Sequence, residues 1–269
     1  MCGFCGKLRF DQVVPDMEVL RRMTAKLARR GPDHEGFFNG GALAFGHRRL
    51  AVIDLSSHAD QPMVDDDLRL ALVFNGTIYN YQELRAELME MGYEFFSHGD
   101  TEVILKAYHA WGDNCVQRFY GMFAFAIWDM RDKSLFLARD RFGIKPLYYA
   151  LDGTRLLFAS TMQALLAGGG IDTSIDPVAL HHHFTLHGVV PAPHTILAGI
   201  KKLPPAHTMR FTVSGEVRQS RYWTLDATRP AQKLSEQEWI AATRAVLSRA
   251  LERHRLASDV PVGILLSGG

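Results

Sequence analysis

Apolar positions set the first expectations. Met17, Leu20, Met23 and Leu27 share one face at helical spacing, which predicts a helix over residues 16–28, closed by Gly31, Pro32 and Asp33. Near-alternating apolar positions then predict short strands over residues 42–46, 49–53 and 70–74. Two amphipathic helices are predicted next. One covers residues 81–91; the other opens at Asp100, read as its N-cap, and carries Val103, Ile104, Ala107, Tyr108 and Trp111 at helical spacing. Strands resume over residues 122–128, 135–139, 147–150 and 156–160, several apolar on both faces, as in a sheet covered on both sides. Strands, then two helices, then strands predict a layered α+β domain rather than a doubly wound array.

A short helix over residues 176–187 and a hairpin over residues 208–223 follow, with Pro191, Pro193, Pro204 and Pro205 breaking the chain between them. Residues 226–233 read as a linker. Ser235 and Glu238 fit a capping box that opens a long helix with Trp239, Val246 and Ala250 on one stripe. Residues 260–266 read as a buried strand that runs into Ser267, Gly268 and Gly269, as though a domain were cut at its first loop.

Charge narrows the function. Thirty Lys and Arg against 29 Asp and Glu in 269 residues give a net charge of +1, so no global field draws the chain to nucleic acid or an acidic membrane. No apolar run approaches the roughly 18 residues of a spanning helix, and the opening residues lack the pattern of a secretion signal, so a cytoplasmic protein is expected. Cys2, Cys5 and Cys115 are too few for a disulfide framework.

Cys2 holds the most chemistry. Removal of Met1 would leave a thiol and a free α-amine on one residue, with intrinsic pKa values of about 8.5 and about 7.7–8.0, so the amine can take the thiol proton near neutral pH. With Met1 in place that nitrogen is an amide without basicity. Two other readings of these residues stay open: Cys2 as an ordinary early residue, and Cys2 with Cys5 as a C-x-x-C metal or redox pair that lacks a second such pair. His181, His182, His183 and His187 have no obvious carboxylate or Cys partner, and no metal is expected there. Cys115 reads as a packed small hydrophobe.

Cys2-Gly3-Phe4-Cys5-Gly6, Arg30-Gly31-Pro32-Asp33, the run from Gly46 to Asp54, Gln61-Pro62-Met63, the run from Phe74 to Tyr81, Gly99-Asp100-Thr101-Glu102-Val103, the run from Gly121 to Ala126 and the run from Ala138 to Tyr148 occur in this order. Together they resemble the glutaminase domain of class II glutamine amidotransferases, specifically the asparagine synthetase family. The segment from Asp172 to His182, followed by Val189 to Pro193, is most similar to the N-acetylglutaminylglutamine amidotransferase branch, which amidates a dipeptide. An aspartate-specific asparagine synthetase stays open as an alternative, as does a catalytically silent regulatory domain.

The resemblance implies an α+β fold, the N-terminal-nucleophile hydrolase αββα sandwich, over residues 2–223. A linker over residues 224–234 and the truncated start of an α/β ATP-pyrophosphatase domain over residues 235–269 would follow. It also implies Cys2 as nucleophile, its own amine as base, a thioester intermediate, and Asn75 and Gly76 as oxyanion hole. Arg49, Leu50, Ile53, Thr77 and Asp100 would bind glutamine, Arg49 at the α-carboxylate and Asp100 at the α-ammonium. Read locally, Asn75-Gly76 is a hairpin-turn signal, Arg49 a surface charge and Asp100 an N-cap. Thr77 departs from the family, which commonly has Glu there. Arg139, Asp140, Arg141 and Lys145 are expected as a salt-bridged framework. Leu266, Ser267, Gly268 and Gly269 would begin an ATP-binding loop. The glutaminase half would need no cofactor; ATP and Mg, with an acceptor carboxylate as second substrate, would belong to the full-length enzyme, and a homodimer is left open.

Overall fold

Two six-stranded antiparallel sheets lie face to face, and the computed structural model describes them within residues 1–228 and 233–263, the Leu256 side chain apart. The first sheet comprises β1 (Gly3–Arg9), β2 (His34–Asn39), β3 (Leu43–Arg49), β8 (Tyr148–Leu151), β9 (Arg155–Ala159) and β10 (Lys201–Lys202), in the order β10-β8-β9-β1-β3-β2. The second comprises β4 (Met63–Asp65), β5 (Leu70–Ile78), β6 (Gly121–Asp129), β7 (Ser134–Arg139), β11 (His207–Thr212) and β12 (Val217–Arg221), in the order β12-β11-β7-β6-β5-β4.

The period of two along each strand sorts side chains between layers. On β5, Ala71 and Val73 face the other sheet, where they pack with Phe4, Leu8, Phe45 and Phe158. Leu70, Leu72 and Phe74 face outward onto α2 (Tyr81–Glu90) and α3 (Asp100–Trp111). Across the first sheet, Cys5, Ala44 and Leu157 pack against α1 (Met17–Ala25) and α5 (Met162–Ala167). The layers therefore run helix, sheet, sheet, helix. Each fully buried Phe or Leu contributes on the order of 1.5–3 kcal/mol to holding them. Short α4 (Cys115–Arg118) and α6 (Pro177–Thr185) complete the domain, and Cys115 is a buried part of the α2–α3 core.

Several local expectations change. Residues 50–53 are apolar yet leave the sheet, because their backbone groups go elsewhere: Leu50 N–H to Cys2 Sγ, Ala51 N–H to Asp33 Oδ2, and Val52 C=O to Asp259 N–H. Asn75-Gly76 is no turn. It lies inside β5, paired with Ala124 and Phe123 of β6. Gly99, not Asp100, is the N-cap of α3, and Asp100 is its first residue. β1, β2, β4, β10, α4 and α5 had no expected counterpart.

The capping box at Ser235 and Glu238 is formed and opens α7 (Glu236–Leu256), whose Trp239 and Val246 are exposed. Its far end meets the domain through His254, stacked on Tyr79 at 4.1 Å between ring centroids. Residues 260–263 form no strand, and residues 264–266 lie outside the described residues, as do Ser267, Gly268 and Gly269. Among the described residues no helix is long and apolar enough to cross a membrane.

Candidate active site

A cavity of about 180 Å³ opens where the start of β1, the end of β3, the end of β5 and the start of α3 converge. Cys2, Arg49, Leu50, Ile53, Asn75, Gly76, Thr77 and Asp100 all line it. Strand period explains why. Asn75 and Thr77 continue the alternation of Ala71 and Val73, so β5 presents them on its inter-sheet face, where Cys2 lies.

The Cys2 thiol is held by Leu50, whose N–H donates to Sγ at 3.3 Å and whose carbonyl lies 3.5 Å from it. Burial pushes its pKa up, so the resting group is a thiol that needs a base. Its carbonyl accepts from Arg30 Nε at 2.9 Å; with the Asn75 amide assigned in the orientation that satisfies both its ends, Nδ2 donates to the same carbonyl at 3.1 Å and Oδ1 accepts from Arg30 Nη2 at 3.2 Å. Asn75 is thus oriented by its neighbours with amide N–H groups beside the sulfur-bearing residue. Gly76 is demanded sterically, since a Cβ there would sit 2.2 Å from Met122 O.

Asp100 is almost fully buried, and Oδ2 accepts from Ile78 N–H at 2.9 Å. Among the described residues no cation pairs with it. Burial consequently raises its pKa from 3.8 to about 7. Arg49 differs from its expected free fork. Nη1 donates to Ser56 O at 2.7 Å and Asp60 Oδ1 at 2.8 Å, and Nη2 donates to the carbonyls of Ile53 and Asp54. Arg49 therefore fastens the loop that forms one cavity edge, and an incoming carboxylate must share it with Asp60.

Other expectations need correction. Arg139, Asp140 and Arg141 are structural, and among the described residues none of them is salt-bridged. Arg139 donates to the carbonyls of Lys145, Leu203 and Gly143; Asp140 accepts from the N–H groups of Phe123, Phe142, Ile144 and Lys145; Arg141 donates to the Phe119 and Gln117 carbonyls. Lys145 has no carboxylate partner among the described residues and lines the cavity. Cys5 cannot share a ligand with Cys2, because β1 turns it to the α1 side, where its thiol meets Thr24 Oγ1 at 3.2 Å and burial pushes its pKa up to about 12. Among the described residues, no three His, Cys, Asp or Glu side chains are grouped to hold a metal.

Arg30 and Gln61 belong to the motifs, but their roles appear only in the fold. Arg30 clamps the Cys2 peptide, and Gln61 Oε1 accepts from Phe74 N–H at 2.6 Å beside the cavity. No local pattern could have revealed either, since each partner lies far away in sequence.

Comparison with known proteins now adds to this geometry. The family pattern described as a glutamine amidotransferase domain matches residues 1–223. Asparagine synthetases (glutamine-hydrolysing) 3 and 1 of Bacillus subtilis are 38% and 37% identical to the chain over its whole length. The chain spans only 44% and 42% of their lengths. The solved glutamine phosphoribosylpyrophosphate amidotransferase from B. subtilis, complexed with ADP and GMP, covers 83% of the chain with a TM-score of 0.61 at 19% identity, and 50% of that structure is matched. That likeness is one of fold.

Proposed function

The chain belongs to the class II glutamine amidotransferases of the asparagine synthetase family, with an N-terminal-nucleophile hydrolase fold, and from that premise we propose that its cavity hydrolyses glutamine through a thioester on Cys2 once Met1 is removed. One observation carries the reading: a buried Asp100 carboxylate without a counter-cation among the described residues shares a cavity with the Cys2 thiol. A substrate ammonium supplies the missing charge, and glutamine brings one a few bonds from the amide to be cleaved.

In this mechanism the freed Cys2 amine takes the thiol proton and sulfur attacks the side-chain amide carbon. Carbonyl electrons move onto oxygen, toward the Asn75 amide and the Gly76 N–H. Collapse expels the nitrogen as ammonia, which receives its proton from the Cys2 ammonium. Water then attacks the thioester, the amine accepts its proton, and glutamate leaves as the thiol is restored. Arg49 contributes positive charge for the α-carboxylate while holding the loop from Ile53 to Asp60.

In a longer protein of the relatives' length, the ammonia would serve ATP-dependent amidation of a carboxylate, with N-acetylglutaminylglutamine as acceptor and aspartate as the alternative. Leu266, Ser267, Gly268 and Gly269 lie outside the described residues, and no step here runs through ATP or magnesium.

The test is covalent. A glutamine-analogue electrophile should add its mass at Cys2 of Met1-less protein, and glutamine should protect. Labelling confined to Cys5 or Cys115 would leave a silent domain instead. A second expectation concerns Thr77, which lines the cavity near Asp100. Thr77→Glu supplies a second carboxylate for the substrate ammonium and should lower the glutamine KM by roughly three- to tenfold. Steady-state kinetics with an unchanged or higher KM would count against this placement of the ammonium.

A further inference from the structure

Lys145 is as buried as a salt-bridged lysine, but among the described residues its Nζ pairs with no anion. Only 4% of it is exposed, yet among the described residues its Nζ meets no carboxylate and contacts Met1 Sδ at 3.0 Å, a weak acceptor. Lys106 shows the ordinary solution in this same molecule: similarly buried, it pairs with both Asp65 and Glu102. Lys145 is also rigidly presented, because its N–H donates to Asp140 Oδ2 at 2.9 Å and its carbonyl accepts from Arg139 Nε at 2.8 Å. The side chain lines the cavity beside Cys2, Asn75 and Gly76.

We infer that Lys145 is the positioning residue for the ionisation of residue 2: once Met1 departs, its ammonium keeps the freed Cys2 amine unprotonated and stabilises the thiolate. This rests on the Cys2 reading above. The direction follows from charge. A nearby cation disfavours a second cation on the amine and favours an anion on sulfur. The present terminus already feels it, since burial, then Arg30 and Lys145 lower the Met1 ammonium pKa, with Cys2 and Asp33 opposing. The other charged neighbours are Arg30, which holds the Cys2 carbonyl, Arg49, which favours the thiolate, and Asp100, which opposes it. Burial and then Arg30 lower the Lys145 pKa itself, Asp140 and Cys2 oppose them, and among the described residues no carboxylate pairs with its Nζ.

The experiment follows kcat against pH at saturating glutamine, where Asp100 is already ionised by its substrate partner and the acid limb reports the residue-2 amine. Lys145→Met should move that limb up by roughly one pH unit and cost about tenfold in kcat below it, while Lys145→Arg should keep the limb in place. An unmoved limb in Lys145→Met, or an equal shift in Lys145→Arg, overturns the inference. Should Lys145→Met not fold by circular dichroism, Lys145→Gln, which removes the charge but keeps a polar side chain, is followed through the same acid limb, and an unmoved limb in it overturns the inference. A wild type without glutaminase activity, or active with Met1 attached, defeats the Cys2 reading and this inference with it. An active, Met1-less wild type with an unmoved limb in the variant defeats the Lys145 role alone.

Discussion

Cys2→Ala should lower ammonia release from glutamine by roughly 10⁴-fold or more, the scale on which removal of a covalent nucleophile acts. No other thiol can substitute. Cys5 is turned into the α1 core with its pKa pushed up to about 12, and Cys115 is sealed in the α2–α3 core, where burial pushes its pKa higher still. The loss should come without unfolding, since the Cys2 side chain is only partly buried and packs in none of the three cores. Glutamate and ammonia assays, beside a thermal melt, check both halves. Ammonia release that survives in Cys2→Ala would remove the thioester from the mechanism.

Asp100→Asn should act in opposite directions on binding and stability. Losing the charge that meets the substrate ammonium should raise the glutamine KM by on the order of 30- to 100-fold, equivalent to roughly 2–3 kcal/mol. The free protein should become more stable above neutral pH. In the folded chain the Asp100 pKa is raised from 3.8 to about 7 by burial. Stability associated with the neutral carboxyl is therefore fully present below about pH 4, declines as pH rises and is gone above about pH 7. The displacement corresponds to roughly 4 kcal/mol as an upper bound. Asn keeps the shape and can still accept from Ile78 N–H. Asp100→Asn should therefore melt above the wild type at pH 8, with the difference shrinking toward pH 4. A lower melting temperature at pH 8 together with an unchanged KM would refute Asp100 as an unpaired carboxylate awaiting a cation.

The residues that gather in the cavity were legible as motifs, but their roles were not legible from local pattern. Asn75-Gly76 reads as a turn to any argument confined to its neighbours, and β6 makes it strand instead. Lys145 reads as framework until its Nζ is found to pair with no carboxylate among the described residues. Arg49 reads as a surface charge, yet it is buried and fastens a loop.

By itself, the sequence determined what depends on a few adjacent residues: the apolar face of α1, the Ser235–Glu238 capping box and most of the alternating strands. Such features are short-range because helix and strand periods and caps close within one or two turns. Tertiary structure alone decided which residues meet and in what protonation state. Cys2 meets Leu50 because β1 pairs with β3 and meets Asn75 because the second sheet stacks on the first, and burial without a cation among the described residues raises the Asp100 pKa to about 7. Desolvation and the distance between charges are properties of the assembled layers, so no stretch of chain read alone could carry them.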